Sequence, residues 1–280
     1  MTTTLTETTR LGLIGDNIAD SRSPRLHELA GRLLGRPTTY DRLVPPTVGL
    51  DFDAVFDKAR AEGYRGLNVT YPYKERVIAR VTVDEPLVAR LGACNTVVFD
   101  AAGPRGFNTD WSGFKAAYRH GLGDTPTGAV CMIGAGGVGK AVAFGLIDLG
   151  MQDLRLVERD LPKAEALAEA LRAAAPGLAV TVTADPATGA RAAAGLVNCT
   201  PVGMVGHAGT PLPRAHMTGA TWAFDAVYTP VDTRFLQDAA AEGLKVLSGY
   251  ELYFYQGLHA ITIFHGVDMD EATLRAALKE

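Results

Sequence analysis

Ala129-Val130-Cys131-Met132-Ile133-Gly134-Ala135-Gly136-Gly137-Val138-Gly139 decides the fold. The first five residues form an unbroken apolar run, the pattern of a strand buried on both faces. They lead directly into G-x-G-x-x-G, and a helical pattern follows from Lys140 to Leu149. In that strand–turn–helix context each glycine has a task. Gly134 permits the tight turn, Gly136 lets the backbone approach a pyrophosphate, and Gly139 allows close packing of helix on strand. The turn Gly134, Ala135, Gly136, Gly137, Val138 then presents a helix N-terminus to phosphate. Leu154 to Val157 reads as the next strand and ends in an acid, Glu158, roughly 20 residues beyond the turn, where a ribose-binding carboxylate is expected.

Glu158-Arg159-Asp160 carries the cofactor choice. Carboxylates at the end of that strand accept ribose hydroxyls and repel a 2′-phosphate, so Glu158 and Asp160 point to NAD. Arg159 and Lys163 are phosphate-compatible and keep NADP open, although both also suit a solvated helix start. Downstream, helices are expected over Pro162 to Ala175 and Ala187 to Ala193, with a strand at Val180 to Thr183. Two further strands, from Gly195 and over Trp222 to Val227, each end in a small-polar loop. A helix from Thr233 to Glu242, a short strand at Lys245 to Leu247, an apolar-aromatic helix from Tyr250 to Phe264 and a terminal helix from Asp270 to Leu278 complete the reading.

Upstream the alternation is similar. Leu11 to Ile14 reads as a buried strand, Arg25 to Leu34 as a helix, Thr38 to Val44 as a strand and Phe52 to Gly63 as an amphipathic helix. Ser23 or Asp20 is the expected cap of the first helix, with Pro24 at its first position. The other hydroxyl, Ser21 or Ser23, would then face an anionic ligand. Gly66 to Thr70 is a strand that Pro72 ends, and a helix is expected from Lys74 to Arg80. Glu85 to Leu91 reads as helix, Thr96 to Asp100 as strand and Thr109 to Leu122 as helix. Three short loops pair Asn with Thr: Asn68 with Thr70 near Lys74, Asn95-Thr96 after Gly92-Ala93-Cys94, and Asn108-Thr109 before Asp110. They read as parts of one polar site.

Composition sets the class. The chain has 280 residues, 47% hydrophobic and 21% charged, enough for two α/β domains with their own cores. A net charge of −4 gives no electrostatic case for nucleic acid or an anionic membrane. No apolar run reaches membrane-spanning length. Met1 to Arg10 is Thr-rich, lacks a signal-peptide pattern and is expected to be a disordered tail. Cys94, Cys131 and Cys199 are odd in number and lack metal-like spacing, so buried free thiols and a reducing cytoplasm fit, and no metal is expected. Cys94 lies inside a candidate loop, where a reactive thiol is the alternative.

The motifs together resemble the shikimate/quinate dehydrogenase family. The matching runs are Ser21-x-Ser23-Pro24, Asn68-Val69-Thr70-x-Pro72-x-Lys74, Gly92-Ala93-x-Asn95-Thr96-Val97-Val98, Asn108-Thr109-Asp110, Gly134-Ala135-Gly136-Gly137, Asn198-x-Thr200-Pro201-x-Gly203-Met204, Val227-Tyr228-x-Pro230 and Gln256. They run across almost the whole chain. The resemblance implies a substrate-binding domain from residues 1–108 and 248–280, a Rossmann-type dinucleotide domain from 109–247, and a cleft between them. It implies reversible oxidation of a cyclic polyhydroxy acid, on the chorismate route to aromatic amino acids, in a monomer or homodimer. Ser21 and Ser23 would hold the carboxylate, and Asn68, Thr70, Asn95, Tyr228 and Gln256 the ring hydroxyls. Lys74 and Asp110 would flank the hydroxyl being oxidised. Thr200, Pro201, Met204, Val227 and Gly249 would join the glycine turn in binding the cofactor.

The residue types agree with that chemistry. Oxidising a secondary alcohol removes a proton as hydride leaves carbon, and Lys74 can take that proton or stabilise the alkoxide while Asp110 orients it. Which role Lys74 plays is open at this level, since a nearby carboxylate favours the charged ammonium. Many NADP-using members carry Asn-Arg-Thr where this chain has Glu158-Arg159-Asp160, which favours NAD. Some quinate-using members carry threonine at the Ser23 position, which favours shikimate, with quinate or an aminated analogue as alternatives. Two rivals are a folate-linked dehydrogenase and a non-catalytic nucleotide-binding regulator. The serine pair and the Asn-Thr-Asp loop argue against the first, and an intact Lys74 and Asp110 against the second.

Overall fold

The computed structural model describes residues 8–279. Of the expected N-terminal tail, residues 1–7 lie outside that range, and Thr9 and Arg10 open a strand instead. The chain divides into two units, Met1–Thr109 with Gly257–Glu280, and Asp110–Gln256.

The first unit runs β1 (Thr9–Ile14), α1 (Ser23–Leu33), β2 (Thr38–Leu43), α2 (Pro45–Val48), α3 (Phe52–Ala61), β3 (Gly66–Val69), α4 (Pro86–Leu91), β4 (Thr96–Asp100) and β5 (Gly103–Phe107). Its sheet has the order β2-β1-β3-β4-β5. The first three strands are parallel, and β4 and β5 form an antiparallel hairpin. The carboxyl ends of β1 and β3 therefore emerge side by side, with Ile14 opposite Val69. That places the residues after each strand at one edge of the sheet. Its core joins Leu11, Leu13, Tyr40, Val98 and Phe264.

Several expected boundaries shift, each for a local reason. The strand Gly103–Phe107 was not expected, because its glycines and proline carry little strand propensity; pairing with Thr96–Asp100 imposes it. No helix spans Lys74 to Arg80. Lys74 lies in a turn, and only Arg76–Arg80 coils, as a 3₁₀ segment. Neither Ser23 nor Asp20 caps α1. Arg22 takes the cap position without a side-chain bond, and Ser23 is already the first helical residue.

The second unit opens with α5 (Thr109–Leu122) and continues β6 (Ala129–Ile133), α6 (Gly137–Asp148), β7 (Asp153–Val157), α7 (Leu161–Ala174), β8 (Ala179–Thr183), α8 (Pro186–Ala190), β9 (Gly195–Asn198), β10 (Trp222–Asp225), α9 (Arg234–Ala241) and β11 (Lys245–Ser248). Two C-terminal helices follow, α10 (Gly249–His265) and α11 (Glu271–Lys279). All six strands are parallel, in the order β11-β10-β9-β6-β7-β8. This is the doubly wound dinucleotide-binding order, and its switch point lies between β6 and β9. The glycine turn after β6 and the loop after β9 therefore leave the sheet as neighbours, with Ile133 beside Asn198. Trp222, fully buried, packs edge-on to Tyr118 at 5.2 Å and donates from Nε1 to Thr127 O at 3.1 Å.

Compared with the sequence reading, α6 begins at Gly137 rather than Lys140, so the last glycines of the motif form its first turn. The second crossing between units falls inside α10, at 256/257, rather than at the helix start near 247/248. Gly113 explains why the first turns of α10 belong with this unit: a Cβ there would lie 2.6 Å from Gln256 N, so the α5 and α10 backbones touch. Among the described residues no helix is long and apolar enough to cross a membrane.

In the first unit, Gly66 is a tightly packed point near the polar loop. A Cβ there would strike Val97 O and come within 2.6 Å of the Phe264 ring. Gly66→Ala is expected to destabilise the protein by about 1–3 kcal/mol through overpacking. Thermal unfolding followed by circular dichroism should then show a midpoint lowered by roughly 2–4 °C per kcal/mol. An unchanged midpoint would refute the close approach.

Candidate active site

Unit one gathers its polar side chains around a buried amide network at the end of β3. Asn68 Oδ1 accepts from Tyr40 Oη at 2.8 Å, while Nδ2 donates to Asn95 O at 3.2 Å and Thr96 Oγ1 at 3.0 Å. Asn95 Oδ1 accepts from Thr109 N at 2.7 Å, from Thr109 Oγ1 at 3.1 Å and from Thr96 Oγ1 at 3.1 Å. Asn68, Asn95, Thr96 and Thr109 are all buried. Satisfying buried amides this fully fixes their orientation, because each lost partner would strand a desolvated group.

The backbone ties the neighbouring loops to the same place. Val69 N donates to Asn95 O, Cys94 N to Lys74 O and Asn95 N to Phe107 O. Asn108 Nδ2 donates to Ala93 O at 2.9 Å, closing the Gly92–Asn95 and Asn108–Thr109 loops on each other. Thr70 N bonds Ile14 O, and Gly15 leaves room for the Thr70 methyl, where any Cβ would collide with it. Lys74 is half-buried in the turn that follows. Ser21 and Ser23 sit together before and at the start of α1, with Ser21 Oγ donating to Ser23 Oγ at 3.2 Å. Shared bonds thus tie Asn68 to Asn95 and the Lys74 carbonyl to the loop that ends in Asn95, while Thr70 follows Asn68 at the end of β3 and bonds the backbone of Ile14 and Tyr73.

In unit two, Gly134 adopts φ +104°, and any Cβ on it would lie 2.8 Å from the Cys199 carbonyl group. A Cβ on Gly139 would collide with Gly134 O, so the helix and the turn are in contact. Gly136 caps α6 without a side chain, and a Cβ there would meet nothing within 4 Å. The first N–H groups of a helix have no intrahelical partners. Open space over such a terminus fits a dinucleotide pyrophosphate.

Glu158 stands beside that turn at the end of β7. It accepts from Ala135 N at 3.0 Å, Arg159 N at 2.9 Å and Asp160 N at 3.3 Å, with Lys163 Nζ at 3.8 Å. Burial pushes its acidity range up, but those N–H donors and Lys163 outweigh burial and hold the carboxyl below its ordinary range. It is therefore a fixed carboxylate at neutral pH. Asp160 has a different job: it caps α7, accepting from Lys163 N at 3.2 Å.

A second network organises the loops after β9 and β10. Asn198 Oδ1 accepts from Thr200 N at 3.0 Å and Thr200 Oγ1 at 2.7 Å. Its Nδ2 donates to Val202 O at 3.1 Å and to Asp225 Oδ1 at 2.9 Å. Asp225 also accepts from Val227 N at 2.9 Å and Thr233 Oγ1 at 2.6 Å. Beyond it Tyr228 stacks on Tyr253 at 5.2 Å, and Gln256 Nε2 donates to Tyr253 O at 2.9 Å. Pro201 and Met204 are exposed, whereas Val227 and Gly249 are buried; Gly249 packs against the Ala226 carbonyl. Asp110, nine-tenths buried, lies in the first turn of α5.

Comparison with known proteins places the chain in a family. Residues 13–97 match the family model described as the shikimate dehydrogenase substrate binding domain. A quinate/shikimate dehydrogenase (NAD(+)) of Corynebacterium efficiens is 39% identical over 272 residues, covering 95% of this chain and 96% of that protein. A shikimate dehydrogenase (NADP(+)) of Pseudarthrobacter chlorophenolicus is also 39% identical, over 280 residues, covering 98% and 96%. The chain belongs to the shikimate/quinate dehydrogenase family. Among solved structures, quinate dehydrogenase from Corynebacterium glutamicum in complex with NAD superposes with a TM-score of 0.91 at 36% identity, covering 97% of this chain and 99% of that one.

Knowing the family, two residues stand out that the sequence reading did not single out. Tyr40 holds Asn68 from β2, and Asp225 joins the end of β9 to both ends of the β10–α9 loop in the cofactor unit. An acid at the end of the apolar run Trp222-Ala223-Phe224 was the available signal for Asp225. For Tyr40 there was none beyond alternation, because its partner is remote in sequence.

The cysteines carry no reactive thiol. Cys94 and Cys131 are buried, and burial pushes both thiols up to about 12; burial, then the Asp225 carboxylate, raise Cys199 as well. A raised thiol range means neutral SH at pH 8, and neutral thiols are poor nucleophiles. Titration of the native protein with a disulfide reagent at pH 8 should release less than one thiol within minutes, against all three after unfolding. Rapid native reaction at Cys94 would contradict its burial.

Proposed function

We propose that the protein catalyses the reversible oxidation of the ring hydroxyl of shikimate to 3-dehydroshikimate, and of quinate to 3-dehydroquinate, with NAD preferred over NADP. The observation that carries the reading is the amide network Asn68–Thr96–Asn95–Thr109, built beside Thr70 and Lys74. It holds small polar groups rigidly at the end of a strand, as recognition of several ring hydroxyls requires. Asn95 uses its oxygen on Thr96 and Thr109, which leaves its amide N–H groups to donate to a ring hydroxyl. Asn68 orders Asn95 and Thr96 and, with Thr70, completes that side. Ser21 and Ser23 take the substrate carboxylate, and Tyr228 and Gln256 the remaining hydroxyls.

When bound, the nicotinamide cofactor accepts hydride from the carbinol carbon. The chain's own part is to bind, orient and move the proton. Lys74 exchanges the hydroxyl proton, and Asp110 holds that hydroxyl in line for it. Gly134, Ala135, Gly136, Gly137 and Val138 cradle the pyrophosphate, and Glu158 takes the ribose hydroxyls. Thr200, Pro201, Met204, Val227 and Gly249 complete the cofactor site. Ser23, rather than threonine, supports shikimate as the better substrate. The family's chemistry and the reducing-compartment pattern of the cysteines support a cytoplasmic enzyme.

Identity to relatives does not choose the cofactor, since 39% is shared with an NAD-named and an NADP-named protein alike. Glu158 supports NAD: a fixed carboxylate pairs with ribose hydroxyls and repels the 2′-phosphate.

Absorbance of the reduced nicotinamide should rise with shikimate and NAD, and more slowly with quinate. No reduction with either acid and either cofactor would sink the reading. Lys74→Ala should lower kcat by about 10²–10⁴-fold with KM for shikimate nearly unchanged; near wild-type turnover would remove Lys74 from the chemistry.

Glu158→Gln should reduce the ratio of kcat/KM for NAD over NADP by about tenfold or more, since one carboxylate repulsion of that size is about 1.4 kcal/mol. An unchanged ratio from steady-state kinetics would mean that cofactor choice resides elsewhere.

A further inference from the structure

At the far end of the first unit's sheet lies a cavity of about 400 Å³ that the dehydrogenase reading leaves without a role. Strand direction separates it from the polar network. Thr70 and Lys74 follow the carboxyl end of β3, whereas Arg65 immediately precedes that strand and Arg10 lies at the start of β1. Arg10, Arg36, Tyr64, Arg65, Phe99 and His265 are among its lining residues.

The three guanidiniums are not equivalent. Arg10 is balanced: Nη1 donates to Glu62 O at 2.8 Å, the Asp41 and Glu62 carboxylates lie at 3.9 and 3.8 Å, and the group stacks over Tyr64 at 4.4 Å. Arg36 and Arg65 have no carboxylate within ion-pair distance among the described residues. Their contacts are carbonyls. Arg36 donates to His265 O, and Arg65 donates from Nε to Phe264 O and from Nη1 to Phe99 O, both at 3.1 Å. Carbonyls orient a guanidinium without neutralising it, and a guanidinium has five N–H donors, so each keeps donors for another acceptor. Both side chains are only half-exposed.

His265 adds no charge. It is buried, its Nε2 has no hydrogen-bond partner, and burial followed by the Arg36 and Arg65 charges lowers its basicity. Among the described residues lining it, the cavity therefore holds two oriented cations without an anion.

We propose that this cavity binds a phosphate group, free or as a phosphomonoester, on Arg36 and Arg65, with the Arg10–Tyr64 stack and Phe99 as the wall for an organic remainder. Charge selects phosphate over a single carboxylate: a phosphomonoester carries roughly −1.5 to −2 at pH 7, matching two guanidiniums. Forked N–H donors suit its oxygens. The site is independent of the substrate and cofactor assignments.

The test uses the full-length protein saturated with NAD, so that the glycine turn cannot take the added anion. Calorimetric titrations with inorganic phosphate and with phenyl phosphate, at constant ionic strength, should each show one saturable site with a Kd of about 1 mM or tighter. Arg36→Gln and Arg65→Gln should each weaken binding at least about tenfold, the scale of one charge-assisted contact, and leave turnover of the hydroxy acid unchanged. Absence of saturable heat, wild-type affinity in both variants, or acetate binding as tightly as phosphate would overturn the proposal. Should a variant fail to fold, imidazole resonances of the wild type decide. The His265 signals, assigned with His265→Asn, should move as phosphate saturates while those of His207 and His216 do not; immobile His265 signals would overturn it too.

Discussion

The side-chain oxygen of Asn95 is the constraint on which the substrate unit depends. Three donors converge on it, from Thr96 and from the backbone and hydroxyl of Thr109. Thr109 opens α5, and Asp110 is the next residue along the chain. One amide thus fixes the end of the β4–β5 hairpin and the start of a helix. It also draws in β3, because Asn68 donates to Asn95 O and Val69 N bonds the same carbonyl. In a buried site each of these bonds is expensive to leave unmade, so the group has few alternative arrangements. The same constraint places Lys74, whose carbonyl receives Cys94 N from the loop that ends in Asn95.

Asp225 performs the equivalent service in the cofactor unit, at a cost. Burial raises its carboxyl to about 6 despite three hydrogen bonds that favour the ionised form. A carboxyl raised above its unfolded value contributes stability that is complete below the unfolded range and lost as pH rises through about 6. At neutral pH Asp225 therefore works against folding relative to acid conditions. Its value lies in geometry. Asn198 ends β9, Val227 and Thr233 lie near the two ends of the loop from β10 to α9, and one carboxylate holds them together. Asn198 in turn shapes Thr200, whose loop leaves the sheet beside the glycine turn. A neutral amide in place of Asp225 would bring two donors of its own to a point where three donors already converge.

Much of this is legible in the amino-acid sequence. The apolar run Ala129 to Ile133 and its glycines specify strand, turn and helix by local rules alone, and the structure follows them to within a turn. Asn68, Asn95 and Thr109 were visible as small-polar loop residues, but their mutual bonds were not, because register between β3, β4 and β5 depends on contacts remote in sequence. The strand Gly103–Phe107 was hidden for the same reason: its residues are poor strand formers that pairing overrides. Lys74 was misplaced on a helix, since an apolar period after a proline does not distinguish α from the tighter 3₁₀ coil. Asp160, read as a second ribose carboxylate, is a helix cap, a role that acids before a helical pattern often take.

With Asp160 committed to Lys163 N, the choice between cofactors falls on Glu158 alone among the two acids. Of the two basic residues that favoured NADP, Lys163 is partly committed: its Nζ already faces the Glu158 carboxylate at 3.8 Å. A 2′-phosphate arriving there would have to displace that pairing and approach a carboxylate fixed by three backbone N–H groups, which cannot swing away without stranding them. Ribose hydroxyls face no such conflict, because they donate to the carboxylate and leave the lysine where it is. On the proposed reading, the discrimination would come from the rigidity with which Glu158 is held, more than from the count of charges around it.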